Sequence, residues 1–170
     1  MREARTHAFL GAGIDRLGRV VLVVAAALVL WGLGALALAT WRGWRAVRRF
    51  RAAWGARGKD LLLVYSNSPH WQSYVETHWL PRWGERAVVL NWSERTRWLT
   101  EDSPEARLFR VVAGAREFNP LAVVVPAAGP IKVVRFWRPF RDFKHGRDAA
   151  LRAAESALDE ALGPPPHAGA

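Results

Sequence analysis

Two short polar clusters gather the side chains of this chain that suit recognition or catalysis: Ser66-Asn67-Ser68-Pro69-His70-Trp71 and Asn91-Trp92-Ser93-Glu94-Arg95. Each follows an apolar run, and loops at the carboxyl ends of parallel strands line the binding crevice of open α/β sheets. Ser66, Asn67, Ser68, His70, Asn91, Ser93 and Arg95 are therefore the candidate ligand-binding residues, with hydroxyl, amide, imidazole and guanidinium groups that suit a polar or anionic ligand. Ser68 followed by Pro69 also reads as an N-cap with proline at the first helical position, which accounts for the same residues without a ligand. Free N–H groups at such a helix start attract anions.

No catalytic residue and no metal site is assigned. His70 and His78 share one expected helix, but eight residues advance a helix by about 12 Å, and one ion cannot hold both rings. Compact zinc-binding histidines sit four apart instead. Ser68 near His70 lacks the glycine-flanked elbow of a nucleophilic serine. The chain has no cysteine, which excludes disulfides, thiolate metal sites and thiol redox chemistry by this chain alone. No cofactor is implied. A third cluster, Arg135 to Arg147 (RFWRPFRDFKHGR), interleaves aromatic and basic side chains. It suits phosphates, lipid headgroups or an acidic partner; an edge strand defended by charge, with Pro139 blocking further pairing, accounts for it equally.

The elements that must position these residues begin with Val20 to Trp41, which has no charged residue in 22 positions. As a helix it reaches about 33 Å, slightly more than the roughly 30 Å hydrocarbon core of a bilayer. Residues 1–19 form a short N-terminal flank, with glycines at 11, 13 and 18 that disfavour a long helix. A cleaved signal peptide is the competing reading, but the apolar run is longer than a signal core and ends directly in a basic cluster. Residues 42–59 form a basic juxtamembrane amphipathic segment. Trp44, Val47, Phe50 and Trp54 gather on one side and Arg42, Arg45, Arg48 and Arg49 on the other, the pattern of a helix lying at a lipid surface. The membrane-surface candidates are Trp41, Arg42, Trp44, Arg45, Arg48, Arg49, Arg51 and Trp54. The N-terminal flank carries four arginines against seven basic residues after the span, so the positive-inside rule places the C-terminal part in the cytoplasm.

The formal charge of +10 divides unevenly. Residues 1–59 carry +9 and residues 60–170 carry +1, so the basicity belongs to the membrane flanks. A nucleic-acid-binding domain would carry its own basic excess, and nucleic acid is excluded as a partner on that ground.

From Asp60 the pattern is that of one small α/β domain, residues 60–163. Leu61 to Tyr65 and Leu121 to Val125 read as buried strands, Arg86 to Asn91 and Lys132 to Trp137 as two more, the last pair joined by the tight turn PAAGP as an antiparallel hairpin. Helices are expected from Ser68 until Pro81 and Gly84 close the first, from a Ser103 cap to Ala113, and over Arg147 to Gly163 with Leu151, Ala154, Leu158 and Leu162 on one face. Residues 164–170 read as a disordered tail.

The order strand, helix, strand, helix, strand, strand, helix, with Asn119-Pro120 just ahead of the third strand, resembles the thioredoxin-like fold. In that family a proline occupies this position and a redox motif fills the turn after the first strand. Here Ser66 to Trp71 fills that turn without cysteine, so the resemblance implies the scaffold and not the thiol activity. A Rossmann-like half domain is the alternative. The function expected is that of a membrane-anchored, redox-inactive interaction or scaffold module at the cytoplasmic membrane surface. Its partners are the bilayer with its anionic headgroups and a membrane or cytoplasmic protein. The enzyme alternative is an α/β transferase or a nucleotide- or phosphate-binding domain that uses the two polar loops.

Overall fold

The computed structural model describes residues 2–98, 100–113 and 119–164, with side chains from residue 19 onward. It divides into two compact units, Met1–Arg42 and Gly43–Ala170. The tail expected at 164–170 lies outside the described residues apart from Pro164.

Helix α1 spans Arg2–Trp54. The glycines at 11, 13 and 18 do not interrupt it, contrary to expectation. In the first unit it is long and apolar enough to cross a membrane, and its apolar side chains are uncovered, with Leu22 72% and Trp31 76% exposed. Leaving a buried-type aliphatic side chain in water forgoes about 1.5–3 kcal/mol. A run of such residues on every side of a helix is therefore costly to leave in water.

The second unit is built on a four-stranded sheet of order β2-β1-β3-β4: β1 Leu61–Tyr65, β2 Ala87–Asn91, β3 Leu121–Val124 and β4 Lys132–Arg135. Strand β1 pairs parallel with β2 and antiparallel with β3, and β3 pairs antiparallel with β4. Every residue of β1 and β3 is buried, as an unbroken apolar run requires when both faces are covered. Edge strand β2 exposes Val89. Lys59 Nζ donates to the Ala87 carbonyl at 2.8 Å and Trp98 Nε1 to the Asn91 carbonyl at 2.7 Å, so side chains occupy acceptors on both sides of that residue. The Asn119-Pro120 bond ahead of β3 is cis.

Alternate residues of the sheet face two cores. On one face Leu61, Leu63, Tyr65 and Val124 meet Trp79, Phe136, Phe140, Leu151 and Leu158; on the other Leu62, Val64, Leu90 and Val123 meet Ala46, Phe50, Trp98 and Phe109. Phe50 is fully buried. This corrects the reading of 42–59 as a helix whose apolar side meets lipid: Val47, Phe50 and Trp54 of that side pack into the second core, while Trp44 stays exposed. Gly58, at φ 69°, closes the helix end in the left-handed region, its N–H donating to the Gly55 carbonyl.

Helix α2 covers 72–83 as an α-turn Gln72–Tyr74, a π-turn Val75–Trp79 and an α-turn Leu80–Trp83. It starts three residues later than Ser68-Pro69 predicts, and Ser68 is not its cap. Pro81 sits inside it rather than ending it. A proline ring collides with the carbonyl four residues back in a regular helix; here Leu80 N–H bonds Val75 O, five residues back, and the widened turn admits the ring.

Short turns Trp92–Glu94 and α3 Arg95–Trp98 lead to α4, Pro104–Ala113. Ser103 Oγ accepts from Ala106 N–H at 3.3 Å, the predicted cap. The stretch after β4 is α5, Trp137–Lys144, not a charged edge strand, with Pro139 in its first turn, where a missing N–H costs nothing. Helix α6, Ala149–Leu162, buries Leu151, Leu158 and Leu162 as its spacing predicts. It is tied to α2 by a ladder of matched i,i+4 spacing: Trp79 Nε1 donates to Glu155 Oε1 at 2.7 Å and Trp83 Nε1 to Asp159 Oδ1 at 2.9 Å. Buried indoles need such acceptors.

Candidate functional site

The loops after β1 and β2 meet, as the parallel pairing of Tyr65 with Asn91 requires. Asn91 Nδ2 donates to Asn67 Oδ1 at 2.7 Å, Asn67 N–H to Ser93 Oγ at 3.0 Å, and Ser93 N–H to Asn91 Oδ1 at 2.9 Å. Asn67, Asn91 and Ser93 are thus brought together. They are also spent on one another.

The first loop is equally occupied. Trp71 and Gln72 N–H both donate to the Ser68 carbonyl, at 3.2 and 2.9 Å, and His70 N–H reaches Ser68 Oγ at 3.4 Å. An anion at a helix start needs those N–H groups unspent. Trp71 Nε1 donates to Ser66 Oγ at 3.2 Å while its ring packs on Phe140, and Trp92 packs on Trp98 and Phe109. Arg95 turns back over the Trp92 ring, its guanidinium carbon 5.4 Å from the centroid. Asn119 Oδ1 is a buried acceptor with no partner among the described residues. Pairing of Val64 with Leu121 sets it at the same sheet end. His70 is exposed, outside α2.

The membrane-surface candidates divide. Trp41 and Trp44 are 49% and 56% exposed, and Arg42, Arg45 and Arg48 are exposed as well, with Arg48 stacked 4.6 Å from the Trp44 ring centre. Arg49, Arg51 and Trp54 instead serve the α/β unit. Arg49 pairs with Asp102 at 3.7 Å, and Arg51 donates to the carbonyls of Pro126 (2.8 Å) and Gly129 (2.6 Å). Trp54 Nε1 donates to Glu105 at 3.0 Å. The Arg49 and Arg107 guanidiniums around Asp102 hold its carboxyl below the usual carboxylate range, the Arg107 hydrogen bond being the main cause.

A cleft of about 670 Å³ opens between α2, α5 and α6, lined among others by Tyr74, His78, Phe143, Arg152 and Glu155. No spacing rule pointed to it, because its residues come from three separate helices. His78 stacks on Tyr74 with ring centres 4.3 Å apart. Burial, then the hydrogen bond to Glu155 3.0 Å away, push the Tyr74 hydroxyl up to about 12. Both arginines of the cleft are paired, Arg82 with Asp159 and Arg152 with Asp148. The cleft therefore offers an aromatic floor with a neutral rim. Among the described residues no group of three His, Asp or Glu side chains is placed to hold a metal ion. No protein-family model, no curated protein and no solved structure matches this chain.

Proposed function

We propose that this chain is a single-pass membrane protein whose α/β unit is a redox-inactive, thioredoxin-like interaction module on the cytoplasmic side of the cell membrane. The observation that carries this reading is the closure of the two loops on each other. The backbone N–H groups of Asn67, His70, Trp71 and Gln72 and the side chains of Asn67, Asn91 and Ser93 are spent within the protein. A transferase or phosphate-binding crevice keeps such groups for its ligand. Strand order β2-β1-β3-β4, with β3 antiparallel to β1 and Pro120 directly before it, supports the thioredoxin-like scaffold over a Rossmann-like half domain, whose strands run parallel. The uncovered apolar stretch supports the anchor, and the denser basic cluster after it supports cytoplasmic placement.

The test is a pair of measurements on the full chain. A reporter fused after Ala170 should be active only in the cytosol, and cross-linking in membranes should capture protein partners that a chain lacking residues 60–163 does not. Reporter activity outside the cytosol refutes the placement; identical cross-link patterns with and without residues 60–163 refute the interaction role.

A further inference from the structure

Residues 60–163 have little net charge, but their charge is unevenly placed along the strands. Strand register defines the two ends of the sheet. The end where β1 and β2 finish also carries the finish of β4, because Val64 pairs with Leu121 and Leu121 with Arg135. Exposed Arg95 and Arg97 follow β2 at this end, and exposed Arg138 opens α5 there. Against them stand Glu94 in the same loop and Glu76 on α2. The opposite end mixes both signs: Lys59, Arg57, Lys132 and the Asp60–Arg86 pair lie with Glu85, Glu105 and Glu160.

The beginning of the unit lies at the basic end as well. Trp54 and Arg51 reach Glu105 and the β3–β4 turn at the far end, and the turn is far because Val124 pairs with Leu61. The helix segment from Gly43 to Trp54 therefore runs antiparallel to β1. Gly43 lies against Val111, near the finish of α4. Val111 is 42% exposed and Trp44 56% exposed, so apolar side chains interrupt the basic rim. Gly43, which opens the unit at this end, follows the uncharged stretch by two residues in the chain.

We propose that this end of the sheet, through Trp44, Arg48, Arg95, Arg97 and Arg138, lies on the surface of an anionic phospholipid bilayer. The inference rests on the anchor reading above. Aromatic rings among arginines suit the headgroup zone, where rings take the interface and guanidiniums meet phosphate. The α5 and juxtamembrane basic clusters do not form one broad patch, since they pack on opposite faces of the sheet; they converge only at this end.

The absence of cysteine makes the test clean. Full-length protein carrying Thr96→Cys, labelled with a fluorophore, is placed in nanodiscs of zwitterionic lipid or of zwitterionic lipid mixed with phosphatidylglycerol, with a headgroup-attached quencher. Ala127→Cys, in the turn at the far end, is the control. The Thr96 label should be quenched in anionic discs, less in zwitterionic ones, and released by salt; the Ala127 label should be quenched in neither. Each arginine held at an anionic surface shifts the docked-to-undocked ratio roughly fivefold, so Arg95→Glu with Arg97→Glu should lower it at least about 25-fold. An unchanged urea midpoint for that double variant shows that the fold is intact. Equal quenching in both discs, or of both labels, overturns the proposal while leaving the anchor standing. A label covered only in native membranes assigns the surface to a protein and overturns it too. A chain not retained in any disc overturns the anchor reading and this proposal together.

Discussion

Replacing Phe50 by alanine separates two roles for the juxtamembrane helix. Phe50 is fully buried between the helix and the sheet face that carries Leu62, Val64 and Val123. Truncating a buried phenylalanine costs about 3–5 kcal/mol, from lost transfer energy and the cavity left behind. A domain of this size has roughly 5–15 kcal/mol in total. With a urea dependence of about 2 kcal/mol per molar, the midpoint should fall by about 2 M. Tryptophan fluorescence of a soluble fragment, residues 43–163, during urea titration reads this directly. Trp44→Ala, at a 56% exposed position, should stay within about 0.5 kcal/mol of the parent. A lipid-facing Phe50 predicts the reverse pattern: no change of midpoint, and weaker binding to vesicles. That outcome would refute the assignment of residues 43–54 to the core.

Three further outcomes test other contacts. Ultraviolet titration should find Tyr74 ionising near pH 12; because its folded-state pKa is raised above the ordinary 10, its contribution to stability is complete below about pH 10 and disappears as pH rises to about 12. Glu155→Gln should bring that pKa down, and an unmoved titration would show that the carboxylate is not a cause. Arg86→Ala removes a guanidinium that pairs with Asp60 and donates to the carbonyls of Leu162 and Gly163; chemical denaturation should show a loss of about 2–4 kcal/mol, with faster amide exchange at the end of the last helix. Asn91→Ala should cost about 1–2 kcal/mol by unlocking the two loops from each other. If stability is unchanged but binding of a phosphate-bearing ligand appears or vanishes, the loops form a ligand site after all.

Much of the fold was legible because local signals agreed with tertiary demand. Leu61 to Tyr65 is apolar at every position and became a central strand; Leu151, Ala154, Leu158 and Leu162 share a helical face and became the inner stripe of the last helix. Other stretches were ambiguous. Phe136, Trp137 and Phe140 fit an edge strand by charge and a helix by spacing, and short aromatic runs cannot be told apart by period; the burial of Phe136 and Phe140, four apart, decided for the helix. Pro81 reads locally as a helix stop, and the π-turn that admits it inside α2 leaves no mark in composition. For the candidate site, adjacency of the two loops followed from parallel strands. That Asn67, Asn91 and Ser93 bond one another depends on side-chain geometry, which spacing does not contain.

By itself the sequence determined that an uncharged stretch can span a bilayer, that thiol chemistry is absent, and that a small α/β unit follows, since each depends on composition or local period. Only the tertiary structure decided what the amphipathic helix after the span touches. An apolar stripe lowers its free energy against lipid or against protein equally well, and the choice is made by the sheet face left bare beneath it. The same holds for charge: a near-neutral domain acquires a basic end only when the strands bring the arginines together.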